Sequence, residues 1–290
     1  MASIKKILAY VTPDKNAGFF DLVVAYDSEV DAIATYTEIS PFEMKEVIYG
    51  AVFTRAPKDL RNTAIFIGGS DFWKCYELLK TSIKIFENLP KDLRVSVAFD
   101  PDGACTTAAA CVIKIKSSIE ISGKNSVILA GTGPVGQSTA IFLAKENSNV
   151  VITSRKFERA KEITEKLNRE YKISISPLQA SNEKETERVI SNADIVISTG
   201  PEGVRTLRKE LWMKFPELKI LADVNAVPPL GIEGVQANDN STERDGKICF
   251  GAFSIGNLKM KIHSKLMKII FEEKDIYDAE KIYEIAKSFT

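Results

Sequence analysis

Short apolar runs alternate with amphipathic segments along most of the chain. The clearest helix start lies at Ser40, the predicted N-cap residue. Pro41 follows at the first helical position, and Glu43 completes a capping box with Ser40. β-branched runs predict strands, and helical spacing predicts helices, in regular alternation. In the first third of the chain the predicted strands are 6–11, 32–37, 63–67 and 94–99, and the predicted helices are 19–28, 41–51 and 72–86.

The same alternation continues beyond a long helix predicted at 105–118. Strands are expected at 126–130, 149–153, 172–176, 194–198, 219–223 and 247–251, and the tail is expected to be helical from about Leu258. Alternating strands and helices are typical of α/β proteins with mostly parallel sheets. We therefore predict an N-terminal α/β domain with its connecting helix at 1–120, a Rossmann-type domain at 121–257, and C-terminal helices at 258–290 that pack back toward the first domain. A cleft between the two domains is the expected ligand site.

A glycine-rich turn follows the strand predicted at 126–130. It consists of Gly131, Thr132, Gly133, Pro134, Val135 and Gly136. Glycines permit a tight turn and let backbone N–H groups approach a pyrophosphate at the start of the next helix. Strand, turn and helix occur in the required order, so the segment predicts dinucleotide binding. A purely structural glycine turn is the alternative.

The strand predicted at 149–153 ends in Ser154, Arg155 and Lys156. A chain that binds NAD carries Asp or Glu near this place, where the carboxylate accepts a hydrogen bond from the ribose 2′-hydroxyl. A carboxylate would repel a 2′-phosphate, whereas a hydroxyl and two cations would bind it. The basic turn therefore predicts NADP as the cofactor, with a solvated basic turn as the alternative.

Two further segments lie at the ends of predicted strands and are expected to face the nucleotide. Small residues at the carboxyl end of a parallel strand leave room for a nucleotide, and paired prolines fix an irregular loop. From these segments the predicted cofactor contacts are Thr199, Gly200 and Pro201, with Asn225 from the loop that contains Pro228 and Pro229. An ordinary strand-to-helix turn is the alternative for the first segment.

Composition and charge exclude several classes of partner and site. The 39 basic and 39 acidic residues cancel, which argues against nucleic-acid and membrane-surface partners. The four cysteines lack CxxC spacing and a nearby histidine pair, so free thiols in a reducing cytosol are expected and no metal site is expected. The chain shows neither an 18-residue apolar stretch nor a secretory leader pattern, and a cytoplasmic protein is therefore expected.

The chain contains one histidine, His263, within an amphipathic segment. Such a residue is more often structural or on the surface than catalytic. No common hydrolytic motif is present. Hydride transfer from a carbon between two nitrogens needs no proton acceptor, because the flanking nitrogens stabilise the product cation, so the sequence is compatible with that chemistry.

Four blocks taken together carry a family resemblance. They are Asp100–Ala110, Leu129–Gly136, Asp223–Gly234 and Phe250–His263. In this order they resemble the NADP-dependent methylenetetrahydromethanopterin dehydrogenases of one-carbon metabolism, and the likeness extends over nearly the whole chain. The resemblance implies a pterin-binding N-terminal domain and oxidation at a CH–NH group, in which the methylene bridge of tetrahydromethanopterin becomes the methenyl form and hydride passes to NADP+. It also implies that some members accept methylenetetrahydrofolate, a tetrahydrofolate derivative.

The resemblance also implies roles for particular residues. The family's lysine near the nicotinamide and the pterin corresponds to Lys259, and the pterin-facing positions include Asp21, Asp100, Thr106 and Thr107. A cation beside a carbon that becomes cationic would oppose the reaction. Lys259 is therefore expected to orient the pterin or the nicotinamide carboxamide rather than to accept a proton.

Alternatives to this function remain open. One is another two-domain NADP-dependent reductase similar to shikimate dehydrogenase, although no persuasive Lys and Asp pair for proton transfer is present. Another is a catalytically silent NADPH-binding regulator. Tyr76 and Lys80 match the YxxxK pair of the folate dehydrogenase/cyclohydrolases, but they fall on an ordinary amphipathic helix and no cyclohydrolase activity is expected. A homo-oligomer is expected.

Overall fold

The computed structural model describes residues 4–289. These residues form two compact units, one made of residues 4–106 and 260–288 and the other of residues 107–259. Each unit is an α/β structure, which confirms the predicted fold class. No helix within the described range is both long and apolar enough to cross a lipid bilayer.

The first unit contains a parallel sheet with helices between its strands. Its strand order is β12-β4-β3-β1-β2, and the strands are β1 (Ile7–Val11), β2 (Ala32–Tyr36), β3 (Thr63–Ile67), β4 (Ser96–Phe99) and β12 (Ile276–Tyr277). Its α-helices are α1 (Phe19–Asp27), α2 (Pro41–Phe53), α3 (Phe72–Glu87) and α10 (Ala279–Lys287). The last strand pairs with β4, so the C-terminal segment returns to the first unit as predicted.

The second unit contains a larger sheet with the strand order β10-β11-β9-β8-β5-β6-β7. The strands are β5 (Asn125–Leu129), β6 (Asn149–Ser154), β7 (Ile175–Gln179), β8 (Ile195–Ser198), β9 (Ile220–Asp223), β10 (Asn240–Arg244) and β11 (Lys247–Phe250). The helices are α5 (Pro134–Lys145), α6 (Phe157–Tyr171), α7 (Glu183–Ile190) and α8 (Lys209–Trp212). Strand β10 pairs antiparallel with β11, and the other pairs are parallel.

Two helices cross the boundary between the units. Helix α4 (Ala104–Lys116) contains the 106/107 boundary, and α9 (Ala252–Ile269) contains the 259/260 boundary. The boundaries predicted from sequence at 120 and 257 lie close to these helices and remain predictions.

Local signals account for several element starts. Ser40 accepts a hydrogen bond from the backbone N–H of Phe42, and Glu43 accepts one from the backbone N–H of Ser40 at 3.0 Å, so the predicted capping box is present. Pro134 begins α5, where its missing N–H costs little. The central strands β3 and β8 are buried along their whole length, as expected for parallel strands covered by helices.

The structure differs from the sequence prediction in four places. The strand predicted at 172–176 lies at Ile175–Gln179, because Lys172 ends α6 in a left-handed conformation with φ 53°. The helical tail predicted from about Leu258 begins earlier, because α9 starts at Ala252. Strands β10 and β12 were not predicted; β10 is largely polar and β12 has two residues, so neither carries a clear apolar pattern.

Gly251 tests the packing where β11 meets α9. A Cβ at Gly251 would collide with the backbone carbonyl of Gln236 and lie 2.5 Å from that of Ala237, whereas a Cβ at Gly256 would meet nothing within 4 Å. We predict that Gly251→Ala lowers the free energy of unfolding by about 1–3 kcal/mol because the backbone must shift. Gly256→Ala, within α9 itself, should leave stability unchanged or raise it by up to about 1 kcal/mol. Denaturant unfolding of both variants would measure this, and equal losses would contradict the packing.

Candidate functional site

The glycine turn between β5 and α5 forms an unusually close backbone contact. A Cβ at Gly136 would lie 2.5 Å from the backbone of Gly131, and a Cβ at Gly131 would lie 2.8 Å from the side chain of Ile128. These distances are below any real Cβ contact, so both positions require glycine for the helix to pack on the strand. The turn thereby fixes the N-terminus of α5 at the carboxyl end of β5.

Gly133, in the same turn, lies beside open space rather than in a close contact. It is the N-cap residue of α5, and a Cβ there would meet nothing within 4 Å. The side-chain amide of Gln137 donates to the carbonyl oxygen of Thr132 at 2.9 Å and holds the turn in shape. Backbone N–H groups at a helix N-terminus bind anions. The turn therefore leaves open space beside the N-terminus of α5.

A cavity of about 880 Å³ lies beside this turn within the second unit. It is large enough for a dinucleotide moiety of ordinary size, since small-molecule sites are about 300–1,000 Å³. Of the residues predicted to contact the cofactor, those that line it are Thr132, Gly133, Ser154, Arg155, Thr199, Gly200 and Pro201. The cavity thus joins the glycine turn, the basic turn after β6 and the loop after β8, and its residues fit an NADP cofactor.

The other predicted contacts do not line the cavity; they are Gly131, Pro134, Val135 and Gly136 of the turn, together with Lys156 and Asn225. The positions of the last two show why. Lys156 is the N-cap residue of α6, where its backbone N–H approaches the hydroxyl of Ser154 at 3.4 Å. Asn225 is buried, and its side-chain amide donates to the carbonyl oxygens of Pro201 and Pro229 at 3.5 Å each. Both residues support the segments that carry cavity-lining residues.

The loop after β9 is held by Asp223. Its carboxylate accepts hydrogen bonds from the backbone N–H of Asn225 at 3.1 Å and of Ile232 at 2.8 Å. Burial raises the pKa of this carboxyl, while the backbone N–H donors lower it. The peptide bond between Pro228 and Pro229 is cis. The loop is therefore tied to the end of the sheet at both sides.

Sequence reasoning missed two cations that line the cavity, Arg205 and Arg208. Arg205 lies 2.9 Å from a carboxylate oxygen of Glu233, and Arg208 lies 3.0 Å from one of Glu183. Both are solvent-exposed pairs, so they hold these side chains only weakly. No motif marks the two arginines, because their position depends on how the loop after β8 folds back over the cavity.

In the first unit, Asp100 lies at the end of β4 and is fully buried. Its carboxylate accepts hydrogen bonds from the backbone N–H groups of Cys105 at 2.7 Å and Thr106 at 3.2 Å, and from the Thr106 hydroxyl at 2.7 Å. Asp100 thus caps the first turn of α4. Two of the residues predicted to face the pterin, Asp100 and Thr106, are therefore bonded to each other.

Asp21 and the single histidine meet in the same part of the first unit. Asp21 is 4% exposed and accepts a hydrogen bond from the Tyr10 hydroxyl at 3.1 Å. Burial and the neighbouring Asp21 raise the pKa of Tyr10, which keeps it a donor. His263 is completely buried, with Nε2 3.8 Å from Asp21 Oδ1 and Nδ1 3.9 Å from Asp100 Oδ2. The structure therefore places His263 inside the protein, between two of the predicted pterin-facing carboxylates.

Lys259 lies four residues before His263 on α9 and is 8% exposed. Residues four apart lie on the same face of a helix. Thr107 follows the buried Thr106 on α4 and is itself half-buried. Among the residues predicted to face the pterin, Asp21 lies in the first turn of α1, and Thr106 and Thr107 lie in the first turn of α4.

Tyr76 and Lys80 form no comparable cluster. Lys80 lies on α3, 41% exposed, and pairs with Glu77 at 2.9 Å while its ammonium lies 5.1 Å from the centre of the Tyr76 ring. The Tyr76 ring packs against Phe72 and Phe99. This arrangement is that of an ordinary amphipathic helix.

Comparisons with known proteins agree with this architecture. Residues 19–102 match the family model described as methylene-tetrahydromethanopterin dehydrogenase, N-terminal, and residues 127–206 match the saccharopine dehydrogenase NADP binding domain. A shikimate 5-dehydrogenase from Listeria monocytogenes has a similar fold, with a TM-score of 0.54 and 13% identity over 97% of this chain and 96% of that one. Fold and site together define a two-unit, NADP-dependent dehydrogenase of Rossmann type.

Two curated relatives from Methylorubrum extorquens identify the family. The bifunctional protein MdtA is 35% identical over 98% of both chains. The NAD(P)-dependent methylenetetrahydromethanopterin dehydrogenase is 29% identical over 93% of both chains. The chain belongs to the methylenetetrahydromethanopterin dehydrogenase family.

Two glycines of the turn should respond differently to a methyl group. We predict that Gly133→Ala leaves the melting temperature nearly unchanged but weakens NADP+ binding, because its Cβ enters the space left for the nucleotide. Gly136→Ala should weaken NADP+ binding and, in addition, lower the melting temperature, because its Cβ meets the Gly131 backbone. Thermal unfolding and NADP+ titration of both variants would separate these effects. Normal NADP+ affinity in Gly133→Ala would contradict the assigned position of the pyrophosphate.

Proposed function

We propose that the chain oxidises methylenetetrahydromethanopterin to its methenyl form and transfers a hydride to NADP+. One C–H bond of the methylene bridge breaks, its electron pair leaves with the hydrogen, and NADPH and the methenyl cation are the products. The single observation that carries the proposal is the family membership shown by a relative 35% identical over nearly the whole chain. The cavity beside the glycine turn supplies a place for the cofactor.

On the cofactor side, we propose that residues 131–136 receive the pyrophosphate at the N-terminus of α5. Ser154 and Arg155 line the cavity at the end of β6 and are proposed to bind the 2′-phosphate, with Lys156 adding positive charge beside them. Thr199, Gly200 and Pro201 would bound the nucleotide from the loop after β8, and Asn225 would hold that loop to the one after β9. NADP supplies the hydride acceptor, and these side chains bind and orient it.

On the pterin side, we propose contacts from Asp21, Asp100, Thr106 and Thr107. Carboxylates accept hydrogen bonds from the N–H groups of a pterin. Asp100 and Thr106 are buried and bonded to each other, which fixes the orientation of both side chains. Lys259 is proposed to orient the substrate, since the reaction releases no proton that a base must take up.

The proposal also covers the location and the assembly of the enzyme. The absence of spanning helices among the described residues is compatible with a cytoplasmic enzyme, and we propose that location. We also propose a homo-oligomer with a reduced pterin as its small-molecule partner.

The reaction itself gives a direct test. Purified protein mixed with methylenetetrahydromethanopterin and NADP+ should produce NADPH, measured by its absorbance, and methylenetetrahydrofolate should serve as a second substrate to compare. Turnover with neither pterin would contradict the proposed function. Tight NADPH binding without binding of either pterin would instead indicate a silent regulator.

Cofactor choice gives a second test. We predict that Arg155→Ala weakens NADP+ about tenfold to a hundredfold, because a lost charge-assisted bond to a phosphate is worth about 1.5–3 kcal/mol. NAD+ binding should change little. Arg159→Ala is the matched control, since Arg159 is exposed on α6 and pairs with Glu162 at 3.3 Å. Isothermal titration with both cofactors would measure this, and equal weakening of NADP+ and NAD+ would show that the basic turn does not select the phosphate.

A further inference from the structure

A buried cluster of charged side chains lies in the first unit and has no role in the cofactor site. It consists of Asp21, His263 and Asp100, and we refer to it as the Asp-His-Asp cluster. Its two nitrogen-to-oxygen distances are 3.8 Å and 3.9 Å, which are within ion-pair range and longer than a direct hydrogen bond. All three residues are at most 4% exposed. Such a cluster requires a physical reason, because buried charges are costly unless they are paired.

The geometry favours one protonation state of the ring. A neutral imidazole has one N–H donor and one nitrogen with a lone pair. Here each ring nitrogen faces the carboxylate of a different aspartate. A neutral ring would always direct its lone pair at one of these anions, whereas an imidazolium presents an N–H to each. The surroundings therefore favour the doubly protonated ring.

The neighbours of the cluster agree with this charge distribution. The Tyr10 hydroxyl on β1 donates to Asp21, and two backbone N–H groups at the start of α4 donate to Asp100, and such donors favour the charged form of a carboxylate. The ring of Phe66 on β3 stacks on the His263 ring with centres 5.7 Å apart and planes 8° apart. An aromatic face attracts a cation. Lys259 lies one turn before His263 on α9, and Lys261 and Lys265 are two residues to either side of it in the sequence.

Glycines allow the tyrosine and the aspartate to approach this closely. A Cβ at Gly18 would lie 2.8 Å from the Tyr10 hydroxyl and 2.9 Å from Asp21 Oδ2, and a Cβ at Gly68 would overlap the Tyr10 ring. The backbone N–H of Gly18 donates to the same hydroxyl at 3.0 Å. Tyr10 thus fixes one oxygen of Asp21, which leaves the other oxygen beside His263.

We propose that His263 is a positively charged positioning residue that holds the carboxylates of Asp21 and Asp100 in the orientation needed to receive the pterin. The inference rests on the proposed function, because these two carboxylates are the proposed contacts to that substrate. Without the cation, two buried anions face each other across the position of the ring. They would then repel each other or take up a proton, and either change weakens hydrogen bonding to the pterin.

The protonation state can be measured directly, because His263 is the single histidine of the chain. Protein labelled with ¹⁵N-histidine gives one set of imidazole signals that needs no assignment. We expect both ring nitrogens to have the chemical shifts of an imidazolium about one pH unit above the ordinary histidine midpoint of about 6.5. A neutral ring with one protonated and one bare nitrogen at that pH would overturn the proposal.

Kinetics of His263→Gln test the positioning role. Gln keeps a polar side chain and removes the charge. We expect the KM for the pterin to rise about tenfold or more while the Kd of NADP+ stays within about twofold, since only contacts to the pterin are disturbed. Ser264→Ala is the control, because Ser264 is the next residue of α9 and its hydroxyl only meets that of Ser28 at 2.9 Å. An unchanged pterin KM in folded His263→Gln would overturn the proposal.

A second variant serves if His263→Gln does not fold. Asp21→Asn removes one anion and keeps the shape of the side chain, and we expect the ¹⁵N signals of His263 to lose imidazolium character at lower pH than in the wild type. Unchanged signals would overturn the proposal. The two claims fail separately: absence of turnover in the wild type contradicts the proposed function, whereas a neutral ring in an active wild type contradicts only the role of His263.

Discussion

The close approach of Gly136 to the backbone of Gly131 is the constraint on which the nucleotide site depends. At that distance no side chain fits, so α5 packs directly against the end of β5. The N-terminus of α5 then faces the cavity, and Gly133 leaves room for a ligand. Any residue with a Cβ at Gly136 would move the helix and with it every backbone N–H offered to an anion. A contact between two backbones thus decides where the N-terminus of α5 offers its N–H groups.

The first unit is organised by charge rather than by close backbone contact. Asp100 ends β4 and caps α4, Asp21 lies in the first turn of α1, and the returning helix α9 brings His263 between them. Each carboxylate accepts hydrogen bonds from its own surroundings and also lies within ion-pair distance of His263. Strand β12 pairs with β4 and anchors the returning segment to the same sheet. Elements distant in sequence therefore meet at one group of polar side chains.

Features with local signals were predictable from sequence. The capping box at Ser40, the helix start at Pro134 and the glycine turn each depend on residues within one short segment. The two-residue strand β12 was missed because its pairing depends on β4, about 180 residues earlier in the chain. The sequence pattern also could not predict that His263 is buried or that Arg205 and Arg208 line the cavity. Packing of segments that are distant in sequence decides these positions. The family resemblance identified the chemistry, whereas the side chains that support it became visible only in the structure.

Direct hydride transfer is the central claim, and isotope transfer tests it most directly. Methylenetetrahydromethanopterin with deuterium at both positions of the methylene bridge would be oxidised by the enzyme with NADP+ in ordinary water, and the reduced cofactor analysed by mass spectrometry and NMR. The account predicts one deuterium at C4 of the nicotinamide and one retained in the methenyl product. Reduced cofactor without deuterium, with the label released to the solvent, would contradict it.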